Sequence, residues 1–202
     1  MKDFARLNNV PVYIDIALEN FKIATAAKVK LLSISNMNEL DDIEKEIILI
    51  EYERESHKHS ITTVVFISMA IEAYIYDYSA RELSDNYAKT YLDKLDIISK
   101  WVVIPKLITG KEFPANRQGF QLLKEIFGYR NKLVHFKSTN ITPEKLEEIH
   151  KNTVDSFEMA SKAIRCLIEL SKDITSIDPH ESIEFLFDIV KCKEALKNAK
   201  LE

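Results

Sequence analysis

Glycine is nearly absent from this chain: three occur in 202 residues, alongside five prolines, and long stretches contain neither. A many-stranded sheet needs frequent glycine, asparagine and proline at its turns, so this scarcity points to helices. Cysteine is equally scarce. Cys166 and Cys192 have no CxxC spacing and no paired histidines beside them, which argues against a disulfide framework or a zinc site and fits reduced core thiols. There is no excess of positive charge either. The formal net charge is −4, which counts against a broad nucleic-acid scaffold but leaves room for a local basic cleft. Met1 to Arg6 lacks the apolar core of a signal segment. The longest apolar run, Val64 to Ile71, is interrupted by Ser68 and closed by Glu72, well short of the ~20 residues of a membrane span. The expected setting is the cytoplasm, with no membrane partner.

What is present is the balance of an ordinary globular protein, 46% hydrophobic and 30% charged. A chain of this length builds a core without metal or disulfide staples. The reading is an all-α, up-and-down bundle of five to seven helices, a single domain over 1–202 with 173–202 as a C-terminal helical extension.

Pro11 opens a first helical stretch with Ile14, Leu18, Phe21 and Thr25 on one side, fading at Ser33 to Asn38. Asn38 is a candidate N-cap, followed by Glu39, Asp41 and Asp42 where the helix dipole favours anions. Helical spacing then runs through Ile43, Ile47 and Ile50 towards Leu83, and nothing decides between one long helix and two. Ser84-Asp85-Asn86 reads as a turn and Tyr87 to Leu95 as a short helix. Trp101-Val102-Val103-Ile104 before Pro105 has a strand-like flavour, but the flanking spacing favours a short helix over Ile97 to Ile108. Gln118 to about Phe136 is helical, with Phe120, Leu123, Ile126 and Phe127 on the inner face and Gly128 a candidate bend or close contact. Thr142-Pro143 opens a helix to about Ser171, with Leu146, Ile149, Val154, Phe157, Ile164 and Leu167 inward. Asp178-Pro179-His180-Glu181 reads as a capping box for a last helix that turns Ile183, Phe185, Leu186, Ile189, Val190 and Leu196 inward.

The chemically loaded segment is Arg130-Asn131-Lys132-Leu133-Val134-His135. Asn131 and His135, four apart, share a helix face. Arg130 lies five before His135, about 140° round, so only its long arm can bring it to the same cleft. An imidazole, a planar cation and an amide are the parts that bind a phosphodiester and move a proton. Arginine, a polar residue, three more residues and then histidine, late in an α-bundle, resembles the Arg-x4–6-His motif of the HEPN superfamily. The wider segment from about Val64 to Ser138 is also similar: an apolar helix bearing an acid, a short-helix region with Trp101 and Pro105, then the motif helix.

The resemblance implies a metal-independent endoribonuclease without cofactors, in bacterial defence or a toxin–antitoxin system. It implies a homodimer in which the motifs of two subunits form one cleft, with RNA as substrate and an antitoxin protein as a further partner. His135 is then acid or base, Arg130 holds the scissile phosphate, and Asn131 orients the histidine or the phosphate. The tyrosine that some family members carry two residues after the histidine is replaced here by Lys137, so control by modification at that position is not implied. Lys132 and Lys137 add charge that could contact RNA phosphates.

Glu72 stands on an otherwise apolar helix, where a buried carboxylate needs a partner; the expected partner is Arg130 or His135, with Asp77 a weaker candidate for the same role. The competing readings are an RNA-binding or protein-interaction module without catalysis, and a helical homodimeric assembly protein in which Arg130 and His135 only buttress the dimer. His57-Lys58-His59 is read as a solvated helix face rather than a metal site, because histidines two apart diverge on a helix.

Overall fold

The computed structural model describes residues 7–35, 41–135, 155–181 and 183–199. The chain is an all-α bundle, with no strand among the described residues. Helix α1 spans Val10–Ser35 and α2 spans Asp42–Glu82. The stretch left open between one helix and two is therefore a single rod of 41 residues, ~60 Å long at 1.5 Å per residue. Its N-cap is Asp41; Asn38, expected in that role, lies outside the described residues. A one-turn helix at Asp85–Tyr87 and a π-turn at Ala88–Leu92 replace the expected short helix. Helix α3 is Ile97–Thr109, α4 is Gln118–Val134 and α5 is Ser156–Ile177. A single turn at Ile183–Leu186 and α6, Ile189–Asn198, complete the order.

Side-chain pairings give the directions. His59 Nδ1 meets Asn20 Oδ1 at 2.7 Å and the Thr63 hydroxyl donates to the Ala17 carbonyl at 3.2 Å, so α1 and α2 are antiparallel. His57 Nδ1 lies 3.0 Å from Ser156 Oγ and the Tyr78 hydroxyl donates to Asp178 Oδ2 at 2.7 Å, so α2 and α5 are parallel. Gly119 packs against Glu169 and Leu170, while Lys162 Nζ reaches Glu125 at 2.6 Å, so α4 runs against both α2 and α5. The two histidines of the His57-Lys58-His59 stretch thus point to different helices, each tying α2 to a neighbour.

The core lies among α1, α2, α4 and α5. Tyr74 packs on Tyr78, Trp101 and Phe187, and Trp101 on Phe113. Both cysteines are free and buried, and burial pushes the Cys192 thiol up to about 12. One 18-residue window of α2 is long and apolar enough to cross a membrane by length and composition, but 50% of it is buried inside the protein.

The short helix expected over Ile97 to Ile108 is α3, which continues through Pro105 to Thr109 and ends at Gly110, whose φ of 73° favours glycine and whose N–H donates to the Lys106 carbonyl. Other local expectations are corrected. Helix α4 runs unbroken through exposed Gly128, which has nothing within 4 Å; the close helix contact is at Gly119. The expected capping box is not one: Glu181 turns to Arg81 instead, and the helical turn begins only at Ile183. Asp188, with φ of 43°, separates that turn from α6; Val190, expected inward, is exposed, while Phe187 is buried. The proposed helix start at Thr142-Pro143, with Leu146, Ile149 and Val154, lies outside the described residues. The extension placed at 173–202 begins inside α5, and its Ile183, Phe187 and Cys192 join the common core.

Asp173 is an interior acid on α5, held at 3.3 Å by Arg117 Nη1. Its Oδ2 is buried without a hydrogen-bond partner. Burial raises its pKa, and Arg117 only partly opposes that. An acid whose folded value lies above its unfolded value destabilises the fold at neutral pH. The penalty fades as pH falls through the folded and then the unfolded value. Asp173→Asn is therefore expected to raise the melting temperature at pH 7, with the advantage shrinking on acidification. A pH series of thermal melts checks this; an unchanged or lower melting temperature at pH 7 contradicts it.

Candidate active site at the end of α4

Helix α4 turns Phe120, Leu123, Ile126 and Phe127 into the core. That burial fixes its rotation and leaves the motif residues on the outer side. Arg130 is partly buried, whereas Asn131, Lys132 and His135 are exposed. His135 is the C-cap: its backbone has left helical geometry (φ −103°, ψ 19°) while its N–H still donates to the Asn131 carbonyl. The imidazole therefore sits at the lip of the helix and not within its wall.

Arg130 is the organising cation. Its Nη1 donates to Asn131 Oδ1 at 3.1 Å, so the arm meets the neighbouring amide. Its Nη2 lies 3.7 Å from Glu72 Oε2. Side chains lean towards their own helix N-terminus, so across the antiparallel α2 and α4 these two lean towards each other. At 3.7 Å the Glu72 contact is an ion pair and not a hydrogen bond. The side chains are 24% and 42% exposed, which places the pair among those worth ~0–1 kcal/mol. Arg130 Nε is buried and has no hydrogen-bond partner. The result is a guanidinium steered by a carboxylate and an amide but not saturated by them.

Arg81 shows what a saturated arginine looks like here. Its Nη2 lies 2.9 Å from both Glu181 oxygens and its Nε 3.1 Å from Asp77 Oδ2, and both carboxylates are almost fully buried. Asp77, expected as a weaker partner of the motif, therefore belongs to this other network. Its side chain faces the C-terminal end of α2, where it helps anchor the Asp178–Glu181 segment.

Glu72, Arg130 and Asn131 are brought together, with His135 one turn further along the same helix. Lys132 is exposed beside them, and Lys137 lies outside the described residues. Tyr129 was not singled out from sequence; it is half-buried on α4, and burial with the nearby Asp155 charge raises its phenol. No group of three histidine, cysteine, aspartate or glutamate side chains that could hold a metal ion occurs among the described residues. No family model matches the chain, and neither any curated protein nor any solved structure is similar enough to match it.

Proposed function

We propose that the chain is a HEPN-type endoribonuclease that cleaves RNA through 2′-hydroxyl attack without a metal ion. The observation that carries this reading is the unsaturated Arg130 guanidinium, steered by Glu72 and Asn131, with an exposed His135 further along the same helix at its lip. A structural arginine in this protein has short bonds to buried carboxylates, as Arg81 does. Arg130 instead keeps donor capacity for an anion, and a phosphodiester supplies one.

In this reading His135 takes the proton from a ribose 2′-hydroxyl. The oxygen attacks the adjacent phosphorus, the bond to the 5′-oxygen breaks, and that oxygen leaves with a proton. Products are a 2′,3′-cyclic phosphate and a 5′-hydroxyl. Arg130 stabilises the charge gathering on the phosphoryl oxygens, and Asn131 holds the guanidinium in line. Lys132 and Lys137 add contacts to neighbouring phosphates. The single histidine of the motif supplies a base but no separate acid. A homodimer through the helices bearing Glu72 and Arg130 brings the partner subunit's His135 into the same cleft as the acid. A cytoplasmic setting in defence, with an antitoxin protein restraining the enzyme, belongs to the same proposal.

The test is incubation of the full chain with labelled single-stranded RNA in EDTA. Fragments ending in cyclic phosphate, from a species sedimenting as a dimer, are the expected result. RNA that is bound but left intact by a folded dimer favours the non-catalytic binding module, and RNA that is ignored favours an assembly protein.

A further inference from the structure

The N-terminal third of α2 extends past the level at which α5 begins, marked by the His57–Ser156 contact. Along this part Lys45 Nζ donates to the Ser35 carbonyl and Lys30 lies over the Tyr52 ring, both tying it to α1. At 100° per residue, Lys45, Ile48, Leu49 and Tyr52 share the side turned to α1, and all four are half-buried. The opposite side carries Ile43, Ile47 and Ile50, which are 68%, 61% and 50% exposed. These fall within an arc of about 60°, a continuous apolar track of i, i+4, i+7 spacing.

Acidic rows border the track on both edges, and the exposed Arg54, which falls on the line of the isoleucines, closes it at its C-terminal end. Asp42, Glu46 and Glu53 line one edge; Glu44, Glu51 and Glu55 line the other. All six are exposed. Residues 41–55 hold seven acids against two bases, a net of −5, while the whole chain is −4. Six of these seven acids flank this one exposed helix face, beside three unshielded isoleucines.

We propose that this face docks a cationic amphipathic helix of another protein. The partner's apolar ridge lies along Ile43, Ile47 and Ile50, and its lysines or arginines meet the two acidic rows. Apolar packing supplies the affinity, and the rows select the sign of the partner and its register. A second copy of the chain fits poorly, because docking track to track sets acid against acid on both edges. RNA is repelled by the same rows. The inference is independent of the ribonuclease reading, since it uses none of the motif residues.

Fluorescence anisotropy with the full chain tests it, using a labelled synthetic helix of about 18 residues with leucines at three- and four-residue spacing and lysines beside them. Two control peptides share its length: one has the same composition scrambled to scatter the leucines, and one has every lysine replaced by glutamate. The basic amphipathic peptide is expected to bind at least about tenfold more tightly than the scrambled one, and the acidic one not at all. The double variants Ile43→Ser/Ile47→Ser and Glu44→Lys/Glu51→Lys are each expected to lose about tenfold in affinity, with unchanged helicity and melting temperature. Equal binding of the scrambled peptide, or full affinity in the serine variant, overturns the proposal. So does a wild-type oligomer that the serine variant dissociates, since a second copy then occupies the track.

Discussion

Gly119→Ala is expected to destabilise the protein, and Gly128→Ala to stabilise it, although both glycines lie within α4, Gly119 in its first turn and Gly128 in its interior. Alanine is the better helix former by ~1 kcal/mol, so propensity alone favours both changes. Position 119 reverses that sign through packing. A Cβ there meets Asp173 Oδ2 at 2.5 Å, the Glu169 carbonyl carbon at 3.1 Å and the Leu170 nitrogen at 3.2 Å. The carboxylate cannot swing aside cheaply, because Arg117 holds its other oxygen, and two of the three contacts are backbone of α5. Forcing extra atoms into such a contact costs about 1–3 kcal/mol, enough to outweigh the propensity gain. Position 128 has nothing within 4 Å, so the full gain of about 0.5–1 kcal/mol is realised. Urea unfolding of the two variants against wild type reads the difference directly. A Gly119→Ala variant as stable as wild type would show that α4 and α5 can move apart without cost.

The two glycines also show where the sequence was readable and where it was not. Helix existence followed from the 3.6-residue spacing of apolar residues, as in Phe120, Leu123, Ile126 and Phe127, all buried as that spacing requires. Which glycine marks a close helix contact did not, because that depends on what faces it across 50 residues of chain. The same limit hid the Arg81 network. Asp77 lies four residues before Arg81 on an apolar helix, and in sequence it looked like a second acid for the motif. Its assignment depended on Glu181, 100 residues away, arriving at the same guanidinium. Glu72 was legible for the opposite reason: a lone carboxylate at the edge of an apolar helix needs a cation, and the motif helix offered Arg130. Ile43, Ile47 and Ile50 set the helical spacing in the sequence, which does not say what covers them. Only the structure shows that α1 covers the other side of that helix, leaving the isoleucines outside.

His135→Ala is expected to lower RNA cleavage by about 10²–10⁴-fold, the usual range for losing a positioned acid or base. Arg130→Ala should cost about 10²–10³-fold, as removal of a transition-state donor does. Arg130→Lys should fall between Arg130→Ala and wild type, because lysine restores the charge but not the planar pair of donors that reaches Glu72 and the phosphate together. None of these changes should move the melting temperature far, since the Glu72–Arg130 pair is half-exposed and longer than a hydrogen bond. Arg81→Ala is the counterpart. It leaves Asp77 and Glu181 buried without their cation, which costs about 2–4 kcal/mol of stability, while each molecule that stays folded should cleave RNA at the wild-type rate. The two arginines thus separate the readings by opposite signatures, activity without stability for Arg130 and stability without activity for Arg81. If Arg130→Ala instead melts the protein or dissociates the dimer as strongly as Arg81→Ala lowers stability, the guanidinium is a buttress. The motif then holds the bundle together and does not cut RNA.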